Sequence, residues 1–336
     1  SRRNFLKLSV GSAALAGSPA AYAKAADSVA VPKRKFGRHD DMVSVFGIGG
    51  HTLYLSGSQE DANEIVARAV DLGVNFFDNA WDYHGGEAEV YMGNALKGKR
   101  DKVFLMSKFC NYHNSIERAQ TAAASVTMLD ETLKRLKTDH LDLWLMHQVS
   151  HNDLEDAYRA DGALEAIEMA KKQGKIRYAG FSGHTDPQLN YDMIDRGYEW
   201  DAVLMPISSV GAMGSRKYEK LVIPICEKKG VAVLGMKGFG GSRRTELHKQ
   251  TSAEKVLQYS LSHPQLCTQI MGIDKVDYVN QAAVASMTKP FTVAEREAYA
   301  AQFEFAPGTP EFAAQYHGEK LYEEGSCCLR RDKENA

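Results

Sequence analysis

Eight short apolar segments recur along the chain between residues 43 and 273, and each is bounded by polar residues or turn formers. Segments of this length that are rich in Val, Ile, Leu and Phe are typical of buried β-strands. The predicted strands are Val43–Ile48, Asn75–Asn79, Val103–Lys108, Leu141–His147, Ile176–Ser182, Ala202–Ile207, Val231–Met236 and Thr268–Ile273.

Most gaps between these strands carry one amphipathic helical pattern, with apolar residues at steps of three and four. Strands that alternate with helices predict parallel strands joined by crossover helices, and eight such units fit a (β/α)8 barrel, the TIM-barrel class of α/β fold. The predicted helices are Asp61–Leu72, Ala119–Leu136, Gly162–Lys172, Tyr218–Lys229 and Ala253–Ser262.

The main alternative architecture is an open, doubly wound sheet that binds a dinucleotide. Its mark is G-x-G-x-x-G after the first strand. Here the first strand ends in Gly47-Ile48-Gly49-Gly50, which lacks the third glycine and opens onto no clear helical pattern. No linker divides the chain, so we predict one barrel domain over residues 33–300, followed by a C-terminal extension over 301–336.

The first residues have the pattern of an export signal. Two arginines are followed by Phe-Leu-Lys, then by a short stretch of small and apolar residues, and Ala21-Tyr22-Ala23 fits an A-x-A cleavage site. The start resembles a twin-arginine signal in all seven of its first positions. We therefore predict a signal peptide over residues 1–23, recognition by the twin-arginine machinery, and a periplasmic or otherwise exported mature protein; a short N-terminal helix is the alternative.

Composition excludes several other classes of protein. Lys and Arg number 41 against 43 for Asp and Glu, a net charge of −2, so the chain lacks the basic excess that binds nucleic acid. No apolar run reaches the roughly 18 residues of a membrane span. The five cysteines form no C-x-x-C pattern, so no metal site is predicted, and the role of Cys327 and Cys328 stays open.

Ionisable residues stand at the ends of three neighbouring predicted strands. Asp78 ends the second strand, Lys108 the third and His147 the fourth, and Tyr83 follows Asp78 in the same loop. Enzymes with this fold place their chemistry at the C-terminal ends of the strands. Taken singly, Asp78 could cap a helix, Lys108 could be solvated and His147 could be a core histidine; their convergence favours an active site.

The sequence resembles those of the aldo-keto reductases, a family of (β/α)8 enzymes. The family pattern is G-x-N-x-F-D-T-A-x-x-Y-G, then E-x-x-x-G-x-A-L, then a strand that ends in Lys. The stretch from Leu72 to Lys108 reads LGVNFFDNAWDYHGGEAEVYMGNALKGKRDKVFLMSK and matches most of it. Shorter matches follow at Leu141–His147 and Lys172–Ser182, so the resemblance covers about residues 33–285.

The resemblance implies a hydride transfer between a nicotinamide cofactor, NADP or NAD, and the carbonyl of an aldehyde, ketone or sugar-like substrate. Tyr83 would be the general acid, because the neighbouring Lys108 lowers the high pKa of a tyrosine. Asp78 would hold Lys108, and His147 would orient the carbonyl by a hydrogen bond.

The same resemblance implies a cofactor site with several departures from the family pattern. Gly183 stands where Asn is usual, Met205 where Gln is usual, Met236 where a stacking aromatic is usual, and Tyr278 near the usual arginine for a 2′-phosphate. These departures leave the choice between NADP and NAD open. The predicted contacts are Ser182, Gly183, Met205, Met236, Lys237, Gly238, Phe239, Gly240, Gly272, Asp274, Tyr278 and Gln281.

Other functions remain open at this stage. A barrel of this fold without redox activity would bind a cofactor or a partner only. A metal-dependent hydrolase or isomerase would use Asp78, His84 and His147. The sequence has no C-x-x-C-x-x-C pattern, which argues against an iron–sulfur member of the family. The substrate is not predicted; candidate wall residues are Tyr54, Trp81, His84, Tyr112 and His113.

Overall fold

Eight parallel strands close into a barrel in the computed structural model, which describes residues 18–109, 121–149, 151–184, 186–241, 247–305 and 309–312. A two-stranded antiparallel hairpin, β1 and β2, precedes it. The strands are β1 Lys33–Lys35, β2 Met42–Ser44, β3 Phe46–Gly49, β4 Phe76–Asp78, β5 Phe104–Phe109, β6 Leu141–Met146, β7 Ile176–Ser182, β8 Ala202–Pro206, β9 Ala232–Met236 and β10 Leu266–Met271.

Helices surround the barrel and alternate with its strands, which confirms the predicted (β/α)8 class. None of the helices in the described ranges is long and apolar enough to cross a membrane. They are α1 Pro19–Ala26, α2 Gly50–Leu53, α3 Gln59–Asp71, α4 Glu87–Ala95, α5 Ala122–Leu136, α6 His151–Tyr158, α7 Ala163–Lys172, α8 Pro187–Asp195, α9 Ser215–Lys229, α10 Ala253–Ser260, α11 Val276–Ala285 and α12 Val293–Ala300.

The barrel strands run in chain order around the barrel, and β10 pairs with β3 to close it. Successive side chains of a strand point to opposite faces, so the apolar residues divide into two layers. Phe76, Leu145 and Leu234 fill the interior, whereas Phe77 and Val203 pack outward against the helices. Both faces are buried, which is why the strands are continuous apolar runs in the sequence.

The predicted strand Val43–Ile48 is wrong in one respect, because the structure divides it at Val45 into β2 and β3. The Ser44 hydroxyl donates to the carbonyl of Phe46 at 2.7 Å and accepts from the amide of Phe76 at 3.2 Å. A side chain thus replaces ladder bonds at this point and lets the chain pass from the hairpin into the barrel.

The hairpin covers the N-terminal mouth of the barrel. Phe36 lies between its strands, is fully buried, and its ring centroid lies 4.8 Å from that of Phe104 inside the barrel. Arg34 in β1 donates to the carbonyl oxygens of Leu261, His263 and Leu266 at 2.7 to 2.9 Å. The opposite mouth, formed by the C-terminal ends of the strands, is the one left for a functional site.

Both predicted flanking segments lie partly in the described residues. Residues 19–26 form α1, which packs on α11 with Ala26 fully buried. The predicted boundary after Ala23 therefore falls inside a helix, and residues 1–17 lie outside the described ranges. In the C-terminal extension, Phe303 packs with Val210 and Leu247. Cys327 and Cys328 are not among the described residues.

Candidate active site

Lys108 is the centre of the candidate site. It lies on the inward face of β5, near the C-terminal end of the strand, and its side chain is almost fully buried. Its Nζ forms an ion pair with the carboxylate of Asp78 and donates to the carbonyl of Asn79 at 2.7 Å. The same Nζ donates to the Tyr83 hydroxyl at 3.3 Å. The structure thus joins three of the four predicted catalytic residues through one ammonium group.

The side chains of Asp78 and Lys108 carry opposite charges and are both removed from water. Burial raises the pKa of the Asp78 carboxyl, and the positive charge of Lys108 opposes that rise. An ammonium this deeply buried needs an anionic partner, and Asp78 supplies it. The cation is therefore held within hydrogen-bonding distance of the Tyr83 oxygen.

Main-chain hydrogen bonds fix the loop that carries Tyr83. The Trp81 amide donates to the Lys108 carbonyl at 3.0 Å, and the Tyr83 amide donates to Ala80 at 3.1 Å. The Trp81 indole donates to Glu131 at 2.8 Å, and Arg135 donates to the Trp81 carbonyl at 3.1 Å. Trp81, predicted only as a wall residue, therefore anchors the loop to α5.

A buried carboxylate supports the same loop from below. Glu89 in α4 is fully buried, and it accepts from the Ser107 hydroxyl at 2.6 Å and from Arg135 at 3.2 Å. Burial raises the pKa of its carboxyl. Gly93, one turn further on, leaves no room for a Cβ, which would lie 2.5 Å from the Arg135 carbonyl. These contacts explain the E-x-x-x-G spacing as close packing of α4 against α5.

His147 joins the group from β6. Its amide donates to the carbonyl of Phe109 at 2.8 Å, so the residue is fixed to the neighbouring strand. The His147 ring lies 5.6 Å from that of Tyr83, nearly perpendicular to it, and its Nδ1 lies 3.1 Å from Asp82 Oδ1. All four predicted catalytic residues therefore meet at one mouth of the barrel, and Asp82 is a fifth residue that the sequence analysis did not single out.

Three further histidines surround this group. The His51 ring lies 5.3 Å from that of Tyr83 and 4.5 Å from that of His84, which stacks on Tyr54. The His184 ring lies 6.2 Å from that of His147. His84 and Tyr54 were predicted as wall residues. His51 and His184 were not predicted as site residues, because a histidine beyond a strand end has no pattern of its own.

Burial lowers the pKa of His184 well below the usual 6.5, and the charges of Lys237 and His147 act in the same direction. The folded protein thus keeps His184 neutral while the unfolded chain takes up a proton below about pH 6.5. Stability that is complete above that pH is expected to fall as the solution is acidified.

Urea unfolding at pH 7.5 and 5.5 measures this effect. We expect His184→Gln to lose less stability than the wild type over this interval, because the variant has no imidazole to protonate. Equal losses in the two proteins would contradict a neutral, buried His184.

Most predicted cofactor contacts lie around the mouth of the barrel. Ser182 ends β7, and its Oγ accepts from the Gln148 amide at 2.8 Å. Met236 ends β9 on its inner face, and Lys237, Gly238, Phe239 and Gly240 form the loop that follows. Gly272, Asp274, Tyr278 and Gln281 follow β10, with Tyr278 41% exposed. These residues follow three different strands.

Met205 does not join the others. It is fully buried in β8, opposite Gly235 in the register, and packs in the outer layer between barrel and helices. Leu204, its neighbour, is the residue that faces the interior. The prediction that Met205 contacts the cofactor is therefore not supported by its position. The candidate wall residues Tyr112 and His113 lie outside the described residues.

Two buried side-chain amides, those of Asn190 and Gln269, have no hydrogen-bond partner among the described residues. A Cβ on Gly183 would lie 1.8 Å from Asn190 Oδ1, and one on Gly238 would lie 3.1 Å from Gln269 Nε2. Buried polar groups are normally paired, so these amides are open to a polar partner. A glycine in each loop beside an unpaired amide fits a ligand that carries an amide and phosphates.

Within the described ranges, no group of three or more His, Cys, Asp or Glu side chains is arranged to hold a metal ion. Asp78 is instead paired with Lys108, and Nδ1 of His147 faces Asp82. The arrangement proposed for a metal-dependent hydrolase from Asp78, His84 and His147 is therefore not favoured.

Fold and site together place a tyrosine hydroxyl beside a buried lysine at the mouth of a (β/α)8 barrel. The model of the aldo/keto reductase family matches residues 46–250, more than half of the chain. The protein therefore belongs to the aldo/keto reductase family, whose members are oxidoreductases that use a nicotinamide cofactor.

Several characterised and solved proteins are similar to the chain. Methylglyoxal reductase YeaE of Escherichia coli (strain K12) is 28% identical over 245 residues, 66% of this chain and 78% of the relative. L-galactose dehydrogenase of Arabidopsis thaliana is 25% identical over 289 residues, 76% and 88% of the two chains. An aldo/keto reductase from Klebsiella pneumoniae, solved with NADP and acetate, has a TM-score of 0.64 at 23% identity, over 82% and 97% of the two chains.

Proposed function

We propose that the protein interconverts an aldehyde, ketone or sugar-like carbonyl and its alcohol, with NADP or NAD as the hydride carrier. The observation that carries this proposal is the contact of Lys108 Nζ with the Tyr83 hydroxyl at 3.3 Å, inside a barrel mouth that also holds His147. The names of two similar proteins, the methylglyoxal reductase and the L-galactose dehydrogenase, describe reduction or oxidation of the same kind.

The residues divide the chemistry in a simple way. When bound, the nicotinamide supplies or accepts the hydride at the carbonyl carbon. Tyr83 gives its hydroxyl proton to the carbonyl oxygen, and the charge of Lys108 stabilises the tyrosinate that remains. Asp78 keeps Lys108 in position, and His147 orients the oxygen by a hydrogen bond.

The first test is a fluorescence titration of the purified protein with NADPH and with NADH. It is followed by a screen of aldehydes, ketones and sugars for loss of the nicotinamide absorbance. We expect micromolar binding of at least one nucleotide and turnover of at least one carbonyl. The ratio of the two affinities decides the preference. Absence of binding to both would contradict the proposed function.

Asn190 is proposed to contribute to nicotinamide binding. Its amide fills the space that the usual Asn side chain would enter from position 183, and it has no partner within the described residues. We propose that Ser182, Gly183 and Asn190 together hold the carboxamide. Replacing Asn190 by Leu keeps the shape and removes the amide. It is expected to weaken nucleotide binding about tenfold, or about 1.4 kcal/mol.

The same substitution should leave the unliganded protein as stable as before or more stable, because it removes two unpaired buried polar atoms. An acetylpyridine analogue of the nucleotide, which lacks the amide nitrogen, should bind the wild type and Asn190→Leu more equally than the natural nucleotide does. Unchanged affinity of Asn190→Leu for the natural nucleotide would exclude this contact.

We also propose that the chain is exported through the twin-arginine machinery and acts in the periplasm or outside the cell. The Arg2-Arg3 pair followed by Phe5-Leu6-Lys7 supports this proposal. Export of a folded protein suits a domain that encloses a cofactor. The test compares cell fractions for the wild type and for a variant in which both arginines are replaced by lysine. Retention of the variant alone is expected; the same distribution for both would contradict export by this route.

A further inference from the structure

We propose that Asp82 is a positioning residue that fixes the proton of His147 on Nδ1. The imidazolium is then the form of His147 that donates a hydrogen bond to the substrate oxygen. The catalytic part of this inference rests on the proposed function; the position of the proton does not.

The contact between the two side chains is direct and sheltered from water. Asp82 Oδ1 lies 3.1 Å from His147 Nδ1, and the side chains are 8% and 1% exposed. Main-chain hydrogen bonds to neighbouring residues hold both Asp82 and His147 in place. The Gly85 amide donates to the Asp82 carbonyl at 3.2 Å, and the His147 amide donates to Phe109. Asp82 also directly precedes Tyr83, so one loop carries both the general acid and the partner of the histidine.

The chemistry of the two groups determines where the proton lies. A carboxylate only accepts hydrogen bonds, and a neutral imidazole has a single N–H. With Nδ1–H donating to Asp82, Nε2 of the neutral ring carries a lone pair and accepts. Nε2 donates only when the ring holds both protons.

Several other charged or titratable groups face His147 in the described residues. The rings of Tyr83 and His184 lie 5.6 and 6.2 Å from its own ring. The charge of His147 lowers the pKa of the buried Asp78 carboxyl, and the charges of Lys108 and Lys237 act on the same region. Asp82 opposes these positive charges at His51 and His184, because its charge raises the pKa of both. Asp82 therefore offsets part of the positive charge around these histidines.

Two protonation states of His147 would then serve the two ends of the reaction. The imidazolium donates to the carbonyl oxygen, on which negative charge grows as hydride arrives. The neutral ring accepts from the hydroxyl of the alcohol. For carbonyl reduction, the donating form is the one that low pH favours, so kcat/KM is expected to fall as the pH rises. In Asp82→Asn the neutral ring is free to carry its proton on Nε2, so the fall with pH should become shallower.

The decisive measurement is the ¹⁵N spectrum of histidine-labelled protein at alkaline pH. The His147 signals are assigned with a His147→Asn variant. We expect a protonated Nδ1 and an unprotonated Nε2 in the wild type, and a shift toward protonated Nε2 in Asp82→Asn. A wild-type ring with its proton on Nε2 would overturn the proposal, whatever the activity of the protein.

A matched control is offered by a second acid–histidine contact. Asp139 Oδ1 lies 2.7 Å from His140 Nδ1, and the Asp139 side chain is 95% exposed at the protein surface. Asp139→Asn should leave the His147 signals and the pH profile with methylglyoxal as probe unchanged. A shallower profile in Asp139→Asn as well would show that the effect is not specific to Asp82. If the wild type turns over no carbonyl, the proposed function fails while the spectrum still decides the tautomer.

Discussion

Tyr83→Phe is expected to lower kcat/KM for carbonyl reduction by about 10²–10⁴-fold, the usual contribution of a positioned general acid. The substitution removes only the hydroxyl oxygen that accepts from Lys108 Nζ at 3.3 Å. The ring keeps its contacts with the His51 and His147 rings, at 5.3 and 5.6 Å. Nucleotide affinity should therefore stay within a factor of a few of the wild-type value.

Steady-state kinetics and the fluorescence titration separate the two effects. Tyr91→Phe is a suitable control, because Tyr91 packs against Tyr54 in the same region and lies outside the proposed catalytic group. Full activity in Tyr83→Phe would remove the tyrosine from the mechanism. Loss of nucleotide binding together with activity would indicate a structural role for the hydroxyl.

Lys108→Met is expected to abolish measurable reduction and also to destabilise the fold by about 3–5 kcal/mol, as removal of one partner of a buried ion pair does. The methionine has nearly the same shape as lysine, so packing is retained. What is lost is the charge beside Asp78 and beside the Tyr83 hydroxyl. The free energy of unfolding in urea measures the second effect.

The double variant Asp78→Asn/Lys108→Met separates the effect of the ion pair on stability from its effect on catalysis. Neutralising both partners removes the uncompensated buried charge, so most of the lost stability should return. Activity should not return, because no cation remains to stabilise the tyrosinate. A double variant as unstable as Lys108→Met would show that the loss arises from packing.

The sequence predicted the barrel well because each strand is buried on both faces. Runs such as Leu141–His147 and Ile176–Ser182 coincide almost residue for residue with β6 and β7. The clustering of Asp78, Tyr83, Lys108 and His147 was predictable for a related reason. An ionisable residue at the end of an apolar run, such as Lys108, has few structural explanations, and parallel strands end at the same mouth.

The errors follow from features that apolar patterning does not carry. Val43–Ile48 is one apolar run, and only the side-chain bonds of Ser44 divide it. Met205 is one position out of phase with the interior residue Leu204, and a shift of one residue reverses the face of a strand. Asn190 and Asp82 were missed because their partners, Gly183 and His147, lie far away or across a loop in the sequence.

The barrel closes at a seam where β3 pairs with β10, and this pairing limits when the fold can form during synthesis. These strands come from opposite ends of the domain, and Arg34 bonds to the carbonyls of Leu261, His263 and Leu266 beside the same seam. A growing chain on the ribosome has no closed barrel until β10 has left the exit tunnel, so both edge strands stay open during synthesis. Closure, and with it the whole mouth that would hold a nucleotide, therefore waits until β10 has been synthesised.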